Sequence, residues 1–420
     1  MERFVGLLGL ITILGIAYAL STNRKAISFR TVGWGLGLQF ALALFVLKTR
    51  TGIIVFQWLG GLVTKLLEFT KEGSGFVFGP LVTNTAPDGS ALNLGFIFAF
   101  QVLPAIIFVG SLAGIAYYIG LMQFVVNLVA RLMVKTMGTS GAESLYAVAT
   151  VFVGQSEAPL LVRPYLEKMT RSELNAIMTG GMATIAGSVL FAYVGMLGEQ
   201  WAPHLLAASI MGAPAGLALA KILYPETEVP ATAGVVKLES AKKEGSIIEA
   251  ASKGAADGMH LAFLVGTMLI AFIALIATIN GLLGWLGGFF GYGSLSLQLI
   301  LGWIFSPLAW LIGVPWAEAG TIGSLVGQKL VLNEFVAYSE LTKLIPPLSG
   351  TTALLSDKAI VIATFALCGF ANFSSIGINI GCIGGLAPSR QADLAQLGFR
   401  AMLGGALASC MTASLAGILL

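Results

Sequence analysis

The chain has 420 residues, 57% of them hydrophobic and only 10% charged, with a mean hydropathy of +0.90 and a formal net charge of +3. A soluble domain carries about 25% charged residues, so a soluble fold is excluded, and so small a net charge with no basic tail excludes a nucleic-acid partner. Cys368, Cys382 and Cys410 are odd in number and lie in apolar runs without metal spacing, which reads as small core residues rather than a disulfide framework.

A membrane span needs about 20 apolar residues. In chain order, full-length candidates are 4–20, 32–47, 94–118, 205–223, 261–283, 359–380 and 397–420. The first could mimic a signal peptide, but it lacks a small-residue cleavage site and a second span follows soon, so it reads as a retained helix. Segment 53–69 carries Lys65 and Glu68 in an amphipathic pattern, which predicts a helix lying in the interface. Segments 122–137 and 282–311 are similar or mixed. The polar run 224–253 contains Pro225 and Pro230 with little periodicity and reads as a linker. Placing Arg24, Lys25 and Arg30 in the cytoplasm puts both termini outside under an eight-span reading. It also collects Arg131, Lys135, Arg163, Lys168, Arg171, Lys221, Lys237, Lys242, Lys243, Lys253, Arg390 and Arg400 on the inside, most of the 23 basic residues.

Four apolar segments are interrupted. Segment 144–161 holds Gly154-Gln155-Ser156-Glu157-Ala158-Pro159, a polar knot between two helix breakers. An ionisable group at membrane depth costs about 3 kcal/mol or more and marks a functional site by default. Segment 176–197 is broken around Thr184 and Gly187-Ser188, segment 314–341 contains Asn333 and Glu334, and segment 370–380 contains Asn372, Ser374 and Ser375. These form two pairs, each a short segment with an acidic tip before a Gly/Ser-interrupted helix. Short or broken apolar segments at matching places in two halves point to a transporter site between inverted repeats.

Glu157 and Glu334 each sit beside a carboxamide, and no Arg lies at the centre of these segments. Carboxylate with carboxamide suits an uncharged, hydroxyl- or amide-rich solute. The plain alternative is that Glu157 neutralises Arg163 and Glu334 neutralises Lys329. Asn372, Ser374 and Ser375 flank Phe373 and follow Phe370, as a sugar or base would want, although Ser and Asn also serve as interhelical glue. Thr150, Val153, Thr184 and Ile185 suggest a hard cation held by hydroxyls and freed carbonyls, against the ordinary case of a Thr bonding back to its own turn. His204 and His260 read as surface or packing residues, with His260 at the mouth of a span. Ser156 faintly matches a hydrolase elbow, but the last Gly is absent and no strand precedes it.

Gly154-Gln155-Ser156-Glu157-Ala158-Pro159, Asn333-Glu334-Phe335-Val336-Ala337-Tyr338 and Gly369-Phe370-Ala371-Asn372-Phe373-Ser374-Ser375-Ile376, in this order, resemble the concentrative nucleoside transporter family. The likeness runs from the first span to the last. It implies an all-α polytopic membrane protein with eight transmembrane helices, two re-entrant hairpins, interfacial helices, an inverted repeat, and scaffold plus transport domains. On that pattern, 1–93 supplies N-terminal spans and an interfacial helix. Residues 94–223 form a first half with a hairpin around 144–165 and a broken helix at 176–197, and 224–253 a cytoplasmic linker. Residues 254–420 form a second half with a hairpin around 315–345, a broken helix at 359–380 and a last span at 397–420. The resemblance further implies that Gln155, Ser156 and Glu157 face the nucleobase, and that Glu334, Asn372 and Ser375 hold the ribose. Val189, Leu261 and Phe370 would line the apolar walls, and Thr150, Val153, Thr184 and Ile185 would bind sodium. Close bacterial members carry Asn where this chain has Thr150.

The expectation is a sodium-coupled nucleoside symporter of the inner membrane, a homotrimer working by an elevator movement. Proton coupling in the same fold, an intramembrane serine hydrolase using Ser156, and a passive channel are the alternatives. One cation entering through 100 mV gains about 2.3 kcal/mol and a tenfold sodium gradient about 1.4 kcal/mol. Together these concentrate a neutral solute roughly several hundredfold.

Overall fold

Backbone amides in a bilayer must find their partners within the chain, which leaves helices and closed barrels as spanning structures. The computed structural model describes residues 2–86, 89–92, 94–235, 245–345 and 355–420, without the side chains of residues 2–4. Among these residues the chain is helical, with two isolated bridges, Thr85 with Ala91 and Ser140 with Ala233. Lys237, Lys242 and Lys243, assigned above to the linker, lie outside the described residues.

The first third comprises α1 (Glu2–Ala19), α2 (Phe29–Lys48), α3 (Arg50–Phe78), the single turns α4 (Pro80–Thr83) and α5 (Phe98–Gln101), α6 (Leu103–Tyr118) and α7 (Leu121–Met137). The helix expected over 53–69 is longer than its apolar stretch, because Thr49 caps it, accepting from the Gly52 amide at 3.0 Å. Its buried side is one stripe, Phe56, Gly60, Val63, Leu67, Thr70 and Ser74, the three-to-four spacing of a one-sided helix.

Next come the hairpin α8 (Gly141–Val153), α9 (Ala158–Leu161) and α10 (Arg163–Leu166), the broken helix α11 (Arg171–Ala183) and α12 (Gly187–Leu197), and the long α13 (Ala202–Leu223). After α14 (Ile247–Gly288) and α15 (Leu297–Leu311), the order returns. A hairpin α16 (Trp316–Val331) and α17 (Glu334–Thr342) leads to a broken helix α18 (Asp357–Leu367) and α19 (Phe373–Leu386) and a long α20 (Gln391–Leu419). Helices α11, α18 and α19 all pack on α20, and α13 joins them.

Several elements start earlier than their apolar stretches suggest, and capping is the reason. Helix α8 begins at 141, not 144, because Ser140 and Glu143 form a reciprocal capping box. Helix α11 begins at 171, not 176, through the same box between Thr170 and Glu173. The last helix also starts early, at Gln391, six residues before its apolar run at 397, but without a side-chain cap at Arg390. Among the described residues, seven helices are long and apolar enough to cross a membrane, or eight if α15 and α16, bent by 116°, count as one span. Helix α1 contributes a shorter apolar run, Val5–Ala19.

Helix α14 has 42 residues and lies along α6 with the two backbones in contact. A Cβ built on Gly114 would stand 2.3 Å from the Ala250 carbonyl oxygen, and one on Gly254 2.3 Å from that of Gly110. Small residues every fourth position allow helices in lipid to approach this closely.

Candidate substrate and ion site

Each broken helix is interrupted for a local reason. Thr184 follows α11 in extended conformation, so its carbonyl and its neighbours' leave the helical ladder. In the second half, Gly369 holds φ +134°, a left-handed value that favours glycine. A Cβ there would lie 2.9 Å from the Met182 carbonyl oxygen and 2.9 Å from Ser409 Oγ. The breaks meet: the Phe370 amide donates to the Thr184 carbonyl at 3.3 Å.

The two hairpin tips reach this meeting point. Gly154, at φ +81°, turns the end of α8 into the first tip, and a Cβ on it would stand 2.7 Å from that of Ala186. Asn333 and Asn372 are both N-caps, accepting from Val336 and Ser375 amides at 2.9 Å each. Capping therefore accounts for one carboxamide read above as a ligand group, Asn333.

A continuous hydrogen-bond chain links the halves. Gln155 Nε2 donates to Ser375 Oγ at 3.0 Å, and Asn379 Nδ2 donates to Gln155 Oε1 at 2.8 Å. The Ser375 amide donates to Asn372 Oδ1, and Asn372 Nδ2 donates to Glu334 Oε2 at 3.0 Å. Tyr193 OH donates to Glu334 Oε1, also at 3.0 Å. Gln155, Glu334, Asn372 and Ser375 are all buried, at 1–5% exposure, so this is a buried polar cluster in an apolar bundle. Its donors and acceptors are not all spent. A carboxylate offers about four lone-pair directions; on Glu334, Tyr193 and Asn372 take two and its own backbone amide a third, while the Ser375 hydroxyl hydrogen and one hydrogen each on Gln155 and Asn372 remain available. The arrangement can hold an uncharged solute rich in hydroxyls.

Ser156 and Glu157 lie exposed on the same first tip, with Asp257 of α14 and Tyr117 of α6 within electrostatic range of Glu157. Val189 is buried two residues into α12, and Leu261 and Phe370 are partly buried against the core that contains it. Lys329 does not pair with Glu334; its Nζ donates to the Ala366 carbonyl and Ser409 Oγ, 2.9 Å each. His204 is packed between the rings of Trp201 and Phe365, and His260 is exposed on α14. Cys368 and Cys410 are buried and free; Cys382 is half-buried.

The four residues expected to bind sodium sit on two touching segments, the last turn of α8 and the break after α11. A Cβ on Gly187 would lie 2.9 Å from the Phe152 carbonyl oxygen, which fixes that contact. Thr150 and Thr184 donate their hydroxyl hydrogens to Ala147 and Gly180 carbonyls at 2.9 and 3.0 Å. Each bonds back to its own helix, and a hydroxyl that donates still has lone pairs with which to accept. With the carbonyl end of a half-helix beside them, this all-oxygen set fits a hard cation.

Two members of the cluster were not anticipated. Tyr193 stands in a helix that is apolar after Ser188, held by the rings of Phe335 and Tyr338 at centroid distances of 4.7 and 4.4 Å. Its signal is its place, one turn after Val189. Asn379 lies four residues after Ser375 and donates back to the Ser375 carbonyl at 2.9 Å; helical spacing alone puts both on one face.

Comparison with known proteins agrees along the whole chain. Residues 8–81 match the family model described as Na+ dependent nucleoside transporter N-terminus, 99–200 that described as nucleoside recognition, and 204–417 that described as Na+ dependent nucleoside transporter C-terminus. A Haemophilus influenzae protein described as an uncharacterized transporter is 48% identical over 419 residues, covering 100% of this chain and 98% of that protein. Sodium/nucleoside cotransporter 1 of Rattus norvegicus is 44% identical over 428 residues; the chain spans 64% of its length. The solved structure of CNTnw in an inward-facing substrate-bound state superposes with a TM-score of 0.92 at 46% identity, covering 100% of this chain and 98% of that one. The hydrolase reading of Ser156 falls with these matches, and the residue follows a helix rather than the strand such an elbow needs. The chain belongs to the Na+-dependent nucleoside transporter family, a multi-pass membrane transporter and not an enzyme.

Proposed function

We propose that the chain is a sodium-coupled nucleoside symporter of the inner membrane, working as a homotrimer whose transport domain carries the nucleoside by an elevator movement. The observation that carries this reading is the hydrogen-bond chain from Gln155 through Ser375 and Asn372 to Glu334. It draws on both hairpins and the second broken helix, so a solute bound there engages both halves at once. Glu334, Asn372 and Ser375 take the ribose hydroxyls, while Gln155, with Ser156 and Glu157 beside it, takes the base. Val189, Leu261 and Phe370 supply the apolar walls. Sodium, as co-substrate, binds Thr150, Val153, Thr184 and Ile185. Because Gly154 packs on Ala186, an ion between those segments sets the first hairpin tip before the nucleoside arrives, which couples the two.

The test is uptake of labelled uridine and adenosine into proteoliposomes, with sodium or with choline in its place at fixed pH. Accumulation above the external level that requires sodium is the expected result. Uptake that follows a proton gradient in choline would replace sodium by protons, and equilibration without accumulation would leave only a passive channel.

A further inference from the structure

The two halves repeat one hydrogen bond as well as one order of elements. In the first half Ser209, on α13, donates to the Ile185 carbonyl inside the break at 3.3 Å. In the second, Ser409, on α20, donates to the Cys368 carbonyl at its break at 2.8 Å. The breaks thus correspond in position, yet different groups fill them. Between α8 and the first break lie the hydroxyls and freed carbonyls assigned above to sodium. Between α16 and the second break lies Lys329, two residues before the end of its hairpin helix.

Lys329 is 2% exposed. Its donors go to the Ala366 carbonyl and to Ser409 Oγ, the same serine that marks the break. Ala366 is in the last turn of α18, so the ammonium stands at the carbonyl end of a half-helix, where orphan carbonyls and the macrodipole favour a positive charge. Glu334 lies within electrostatic range, but its oxygens are engaged by Tyr193 and Asn372. An ammonium this deep is costly unless oxygens replace its water, and here they come from the broken helix and from α20.

We infer that Lys329 is a tethered cation, a positioning residue that occupies in the second half the place sodium takes in the first and holds the α16–α17 hairpin against its break without a dissociable ion. The comparison with sodium rests on the symport reading above; the holding role does not. One break is then set by the external ion, and the other is set permanently.

Hydrogen–deuterium exchange on the intact wild-type transporter, in sodium and with choline substituted, reads both breaks in one sample. Amides at 153–156 and 184–187 should lose at least tenfold protection without sodium, while those at 331–333 and 367–369 change less than twofold. Equal loss in both breaks overturns the inference. An unresponsive first break removes the sodium reading and leaves the holding role to be decided by two variants. Lys329→Met keeps the length without the charge and should unprotect 331–333 and 367–369 at least tenfold in either salt. Lys329→Ala leaves room beside the Ala366 carbonyl and should make those same amides sodium-dependent. Wild-type exchange at the second break in both variants overturns the proposal, and variants that fail to assemble leave the wild-type measurement to decide it.

Discussion

Glu334→Gln is the most informative single change. The carboxylate is 4% exposed and accepts from Tyr193 and Asn372 at 3.0 Å each. Gln keeps the shape but offers one oxygen, so its amide group must face one of those two donors. Hydrogen bonds to a charged acceptor contribute about 1.5–3 kcal/mol each, against about 1 for neutral ones. Losing the charge toward both resident donors and the ribose hydroxyls weakens nucleoside binding by about 2–4 kcal/mol, roughly 30- to 1,000-fold in Kd. Folding should suffer much less, because a neutral group is less costly to bury than a carboxylate. Isothermal titration of detergent-solubilised protein with uridine and adenosine measures the first effect, and thermal unfolding of the same sample the second. A Kd within threefold of wild type in a protein of unchanged stability would refute the placement of the ribose on Glu334.

Thr150→Val and Thr184→Val each remove one oxygen from the proposed ion site while costing only a bond to their own helix. Sodium titration of uptake should show the half-saturating concentration rising about tenfold or more, whereas the Thr→Ser variants stay within about threefold. Lys221→Met strands Glu143, which pairs with it at 2.8 Å and is 1% exposed; the expected loss is about 3–5 kcal/mol of stability. Most of it should return in the double variant with Glu143→Gln, both read as melting temperatures. Gly369→Ala adds a methyl where the left-handed φ and two contacts at 2.9 Å forbid it, a cost of about 2–4 kcal/mol. Gly377→Ala, inside α19 with nothing within 4 Å, should instead raise the melting temperature slightly, since Ala stabilises a helix interior by about 0.5–1 kcal/mol over Gly.

How much of this was legible depends on whether a residue acts locally. Gly154 and Pro159 frame a tip because of what their backbones permit, and Glu334 beside Asn333 looks anomalous in an apolar run whatever surrounds it. Both features were readable one residue at a time. The start of α8 at 141 and of α11 at 171 was missed because a capping box uses polar residues, which a search for apolar runs discards. Tyr193 was missed for the opposite reason: it is apolar enough to pass as packing until Glu334 is brought to its hydroxyl. Lys329 illustrates the limit. The only partner its place in sequence offered was Glu334, five residues on, as the alternative to a ligand role for that carboxylate; the actual partners lie 37 and 80 residues away on two other helices, and no spacing rule connects them.

The seam between α6 and α14 sets a mechanical constraint. Forty-two residues make a rod roughly 63 Å long at the usual helical rise, about twice the hydrocarbon thickness of a bilayer. Where main chain rests on main chain, as at Gly110 and Gly254, no layer of side chains is left to act as lubricant. Those two helices can travel only together, as a single stiff post. Any gliding surface in this molecule must therefore run along the flanks of the post and never through its middle.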